Sequence, residues 1–244
     1  METLVAIFYI ASEAQGSEIS LAIEGWRKHF KEPHRIVVVG DKPPVDDVDW
    51  LQIKRVQKKD GEYLPALDIC QKLEAVCLAN WWKYDGFIWA SDDFFAVNDF
   101  TLADVMVPKI YDSQLPSKGD QTQNAFWHTQ IKTRRLCEAS GAGVANWTTH
   151  LPMWFDIDLL YWLIQDYDLT EMSYIVENLY YNMHAPEQKP ERLHRNDRWK
   201  FDVCYSPLDR AGLSDAFIHK IWVCCSVNGW CPELEAELRK HYGM

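Results

Sequence analysis

The sequence predicts an α/β fold: a mixed, mostly parallel sheet flanked by helices, leading into an irregular, helical C-terminal half. Three observations predict it. Short, unbroken apolar runs recur through the first hundred residues; segments with a helical apolar stripe separate them; and acidic residues stand where the runs stop. Unbroken apolar strands alternating with helices are the pattern of a parallel sheet buried on both faces.

The first run, "LVAIFYIA", reads as a buried strand. It lacks the basic leading region of a signal peptide and is too short to span a bilayer. In "SEISLAIEGWRKHF" the apolar residues Ile19, Ala22, Ile23, Trp26 and Phe30 form a helical stripe, with Ser17 placed to cap it. "RIVVVG" is a second buried strand, stopped by Asp41 and by Pro43-Pro44. "VDWLQIKRV" reads as a short third strand. "LPALDICQKLEAVCLANWW" restores the helical period through Leu67, Cys70, Leu73, Val76 and Cys77. "GFIWA" is the next buried strand and runs straight into Ser91-Asp92-Asp93.

The second half is less regular. Residues 111–124 read as a polar loop, and "AFWHTQIKTRRLCEAS" as a helix ended by Gly141. "THLPMWFDIDLLYWLIQDY" begins as a turn and reads as helical after Pro152. Residues 185–200 gather Lys189, Arg192, His194, Arg195, Arg198 and Lys200. The last helix, "PELEAELRKHYGM", places its acids first and its bases last, as the helix dipole favours. No internal repeat and no linker divides the chain, so one domain over 1–244 is expected.

Composition narrows the function classes. Apolar residues make up 48% and aromatics 14% of 244 residues, enough to build a core and to argue against disorder. A net charge of −11 argues against a broad basic face for nucleic acid. The seven cysteines form no CxxC pair, and Cys70 and Cys77 share a helical core spacing. Buried reduced thiols, and hence a cytoplasmic protein, are the expectation, against a zinc site built from the last four.

The pair Asp92-Asp93 admits two readings. It is a solvated strand-end turn in which one acid caps the next segment, or it holds a hard cation through oxygen. Ligands of open α/β sheets collect beyond the carboxyl ends of the strands, where Asp41 and this pair both fall.

Several blocks carry a resemblance: "SEISLAIEGWRKHFKEPHRIVVVGDKPP", "IWASDDFFAVNDF", "THLPMWFD" and "CSVNGWCPELEAEL", in that order. Together they resemble the GT-A-fold glycosyltransferases, most nearly the Stealth-type sugar-phosphate transferases and related phage and bacterial GT-A proteins. The resemblance implies a GT-A-like domain, with 1–110 as the nucleotide-sugar-binding half and 111–244 as the acceptor side. It implies a Mn²⁺- or Mg²⁺-dependent enzyme that moves a sugar from a nucleotide-sugar, a UDP-sugar first among them, to a hydroxyl. Asp93 would bind the metal, and Asp92 would share the metal or bind sugar or ribose. Asp41, Lys72 and Asn228 would contact the donor. His150 and Asp156 would serve catalysis, Asp156 as a general base, while Arg195, Arg198 and Trp199 would meet the acceptor. Asp41 also reads as a turn acid, Lys72 as a surface lysine, and His150 as structural.

Two departures bear on the chemistry. The family's opening valine-aspartate motif is missing, and Gly229 stands where the closing motif has an acid. Both favour plain glycosyl transfer over sugar-1-phosphate transfer. Two further alternatives stay open: a phage-type enzyme that glycosylates hydroxymethylated DNA, and a carbohydrate-binding module without turnover.

Overall fold

The structure is a computed structural model. It describes residues 2–58, 63–79, 83–111, 113–119, 124–184, 189–193, 200–201, 210–225 and 229–244. In chain order the first half holds β1 (Thr3–Tyr9), α1 (Glu18–His29), β2 (His34–Gly40), β3 (Asp49–Gln52), α2 (Pro65–Leu78), β4 (Gly86–Ser91), β5 (Phe94–Ala96), α3 (Leu102–Met106) and β6 (Lys109–Tyr111). The second holds α4 (Ala125–Ala139), β7 (Met153–Asp156), α5 (Ile157–Asp166), α6 (Val176–Met183), β8 (Glu191–Leu193), β9 (Lys200–Phe201), α7 (Arg210–His219), β10 (Trp222–Cys225) and α8 (Pro232–Tyr242).

The five-stranded central sheet has the order β3-β2-β1-β4-β7. Its first four strands are parallel, and only β7 runs antiparallel, against β4. The chain is thus a mixed α/β fold whose largely parallel sheet is flanked by helices, of a general Rossmann-like kind.

β1 is central and buried along its whole length, which is why it reads as an unbroken apolar run. Its alternate residues feed two cores. Leu4, Ala6 and Phe8 join Val37, Val39 and the inner sides of α2, α5 and α6. Val5, Ile7 and Tyr9 join Ile36, Val38 and the Ile19–Ile23–Trp26 stripe of α1. A third core lies beyond α1, where Leu21 and Ala22 meet Phe95, Val223 and Leu234 of β5, β10 and α8. β5, β10 and β9 form a second, three-stranded sheet, and β6 pairs with β8.

Three details differ from the sequence reading. Residues 153–156 form a strand rather than the start of a helix, because Phe155 buries opposite Phe87 and the register Gly86↔Asp156 to Trp89↔Met153 completes the ladder of β4. Tertiary pairing overrides the local pattern there. The third strand is only four residues long, since its ladder covers only the stretch of β2 from Val37 to Gly40. Ser17 does occupy the N-cap position of α1, yet its side chain makes no capping bond and donates to Glu235 instead. Cys70, Cys77, Cys137 and Cys231 lie outside any disulfide, and Cys224 and Cys225 are buried in β10. No helix among the described residues is long and apolar enough to cross a membrane.

Candidate functional site

From β1 the chain steps to β2 and β3 on one side and returns to β4 on the other. The carboxyl ends of β1 and β4 therefore flank the point where strand order reverses, the usual ligand crevice of an open α/β sheet. Tyr9, Gly40 and Ser91 end the three strands there.

Two acids are fixed on either side of the β1 end by backbone bonds that extend the ladders. Asp41 N–H donates to Tyr9 O at 3.2 Å, and Asp92 N–H donates to Phe8 O at 3.2 Å. The Asp41 carboxylate in turn accepts Ala11 N–H at 2.9 Å, which ties the β1–α1 loop to the end of β2. Gly40 makes this approach possible. Its φ is +125°, and a Cβ there would stand 2.2 Å from Tyr9 O.

Asp92 and Asp93 occupy the tight turn between β4 and β5. Ser91 Oγ donates to Asp92 Oδ1 at 3.2 Å. Burial, then the neighbouring Asp93 charge, then Glu18 push the Asp92 carboxyl up to about 7. Asp93 is anchored from the far end of the chain: its carbonyl accepts Cys225 N–H at 3.0 Å, and the Cys224 thiol lies 3.8 Å from Oδ2.

Sequence reasoning missed two members of this group, Glu18 and Tyr9. Glu18 is buried at the start of α1, where it accepts Gln15 N–H at 2.7 Å and Gly16 N–H at 3.1 Å. Burial raises its carboxyl, and these two bonds oppose the rise. The Tyr9 phenol is raised by burial and then by the charges of Asp92, Asp41 and Glu18. Glu18 interrupts a run of apolar and small residues at a helix start, and that was its one legible signal.

The register of β7 sets the segment holding His150 toward the same edge. His150 precedes β7, whose first residue pairs with Trp89 near the end of β4. The residue is exposed, and its backbone is left-handed at φ 53°. Asp156 does not reach that edge. It pairs with Gly86 at the opposite end of the six-residue β4, about 20 Å away along the strand. Its carboxylate caps α5, accepting Leu159 N–H at 2.9 Å.

Lys72 is neither at the surface nor reaching outward. Its ammonium is buried 2.8 Å from Asp68 Oδ2, close to Gly40. Asp68 also accepts Val56 N–H at 2.9 Å and the Tyr63 hydroxyl at 3.2 Å. The Arg55 guanidinium lies 4.1 Å over the Tyr63 ring, pairs with Glu13 and donates to Ser12 Oγ at 2.9 Å. This polar chain supports the β1–α1 loop from beneath. Asn228, Arg195, Arg198 and Trp199 lie outside the described residues.

Among the described residues no three His, Cys, Asp or Glu side chains converge as a metal-binding cluster. The two carboxylates of the acidic turn nevertheless suit a hard cation whose remaining ligands are water and phosphate oxygens. Burial is the first cause of the elevated Asp92, and the neighbouring charges of Asp93 and Glu18 add to it. No protein-family model and no curated protein matches the chain.

Proposed function

We propose that the chain is a GT-A-like, metal-dependent glycosyltransferase that uses a nucleotide-sugar donor. One observation carries the reading: Asp41 and the Asp92-Asp93 turn flank the β1 end at the carboxyl edge where strand order reverses, with Asp92 held against its own ionisation. Asp92 and Asp93 would hold Mn²⁺ or Mg²⁺, which when bound would offset the charge of the leaving diphosphate. Asp41, with one oxygen engaged by Ala11 N–H, has its other oxygen to accept a ribose hydroxyl of the donor, a UDP-sugar in the simplest case.

The bond from the anomeric carbon to the diphosphate oxygen breaks, and the diphosphate leaves with the electron pair. The acceptor hydroxyl oxygen bonds to the anomeric carbon and gives up its proton. His150, whose segment is set toward this edge, is the group suited to take that proton. Asp156 has no such part, since it caps a helix at the other edge.

Thermal melts with Mn²⁺ and UDP test the reading. Wild type should gain several degrees, and Asp93→Ala should lose the gain. A panel of nucleotide-sugars, scored for released nucleotide, then identifies the donor. If no nucleotide diphosphate binds with any divalent ion, the reading fails. Sugar binding that ignores both metal and Asp93→Ala would leave a carbohydrate-binding module in its place.

A further inference from the structure

A groove of about 430 Å³ lies where α4, α5 and α6 end, away from the acidic turn. It is lined by the residues that close each helix: Ser140 and Gly141 after α4, Asp166 and Tyr167 at the end of α5, Met183 and His184 at the end of α6. Three negative helix poles thus point at one space.

Lysine and arginine are missing from these ends, and His184 at the end of α6 is the basic side chain among the described residues lining the groove. α1 ends in Arg27, Lys28 and His29, and α8 in Arg239, Lys240 and His241. The last turns of α4, α5 and α6 hold no basic residue, and no lysine or arginine is among the described residues lining the groove. Nearby Arg134 is committed elsewhere, to Glu138 and to the Leu115 carbonyl. Asp166 adds a full negative charge to the wall.

The second, independent observation is aromatic. Trp162 of α5 lines the same groove and is 62% exposed, beside the 42% exposed Leu159. An indole face is the strongest side-chain partner for a cation, and Tyr167 lines the groove with it. A Cβ on Gly141 would meet nothing within 4 Å, whereas one on Gly143 would stand 2.9 Å from Asn182 Oδ1.

We infer that this groove binds a small organic cation, an ammonium carrying apolar substituents, stacked on Trp162 and paired with Asp166. The helix poles and the carboxylate supply the charge, and Trp162, Leu159 and Tyr167 receive the alkyl groups. A neutral sugar would leave the charge unanswered, and a bare metal ion would leave the indole unused. None of these residues belongs to the proposed transferase site, so the groove stands whether or not the chain transfers sugar.

Isothermal titration with choline and with its neutral isostere 3,3-dimethylbutan-1-ol tests it. Choline should bind saturably with 1:1 stoichiometry, and the alcohol about tenfold more weakly or not at all. Trp162→Ala should weaken choline by about tenfold, and Asp166→Asn by several-fold. Leu159→Lys, which tethers an ammonium at the rim, should block choline while keeping the fold, because Leu159 is already half exposed. Equal binding of the alcohol would overturn the inference. So would choline binding unchanged in Trp162→Ala or Leu159→Lys, or the absence of saturable choline binding.

Discussion

Replacing Asp92 with asparagine removes a charge that the fold holds at a cost. The carboxyl is pushed from an ordinary 3.8 to about 7 by burial, by Asp93 and by Glu18. A carboxyl raised in this way binds its proton more tightly when folded than when unfolded, so stability falls as pH climbs from about 4 to about 7. The loss is complete above that window and absent below it. Three pK units correspond to roughly 4 kcal/mol, and solvent screening at this partly exposed turn reduces that to about 2 kcal/mol. Asparagine is neutral throughout and can still accept from Ser91 Oγ. Asp92→Asn should therefore be more stable than wild type by about 2 kcal/mol at pH 8 and equal to it at pH 4. Urea denaturation at half-unit pH steps measures this, and the midpoint belongs to the Asp92–Asp93–Glu18 group as a whole. Saturating Mn²⁺ and UDP should reverse the order, because only wild type would gain binding energy, about 2.7 kcal/mol at a hundredfold excess over Kd. A variant no more stable than wild type at pH 8 would refute the claim that Asp92 is strained by its charge.

Other substitutions separate support from chemistry. Lys72→Met should cost about 3 kcal/mol in denaturant melts, because Asp68 stays buried with its counter-charge gone. Gly40→Ala should cost about 3 kcal/mol or more and loosen Asp41, since the new methyl meets Tyr9 O in a left-handed backbone. Asp156→Ala should lower stability by about 1 kcal/mol through its lost cap and leave nucleotide release unchanged. His150→Asn, which tolerates the left-handed backbone, should slow nucleotide release by about a hundredfold without changing the melting temperature.

What could be read in the sequence was what periodicity alone determines. β1, β2 and β4 are buried on both faces, so their apolar runs were unmistakable, and α1 and α2 showed their stripes. The strand ends, with Asp41 and Asp92-Asp93 beyond them, came directly from those runs. The elements that escaped are those defined by distant partners. β7 looks helical until Gly86–Trp89 lies beside it, and β5 and β10 are too short to declare themselves before they pair. Site membership obeyed the same division. Asp156 and Asp92 both come after an apolar strand segment, but β7 runs antiparallel, so the end of one strand is the opposite edge of the other. Tyr9 belongs to the site as the last residue of β1, and Glu18 because α1 starts beside that strand end, where Gln15 and Gly16 N–H hold its carboxylate. No spacing encodes that placement.

The bond from Cys225 to Asp93 has a consequence in time. The acidic turn leaves the ribosome early, yet its pin, β10, emerges about 130 residues later. A nascent chain that has completed β1 to β4 can pair those strands while Asp93 still lacks that anchor, although one face of the sheet is covered only once α5 and α6 follow. The sheet and the finished edge thus mature in separate stages. β10 is the late partner that completes the charged turn, made about 130 residues after the turn itself.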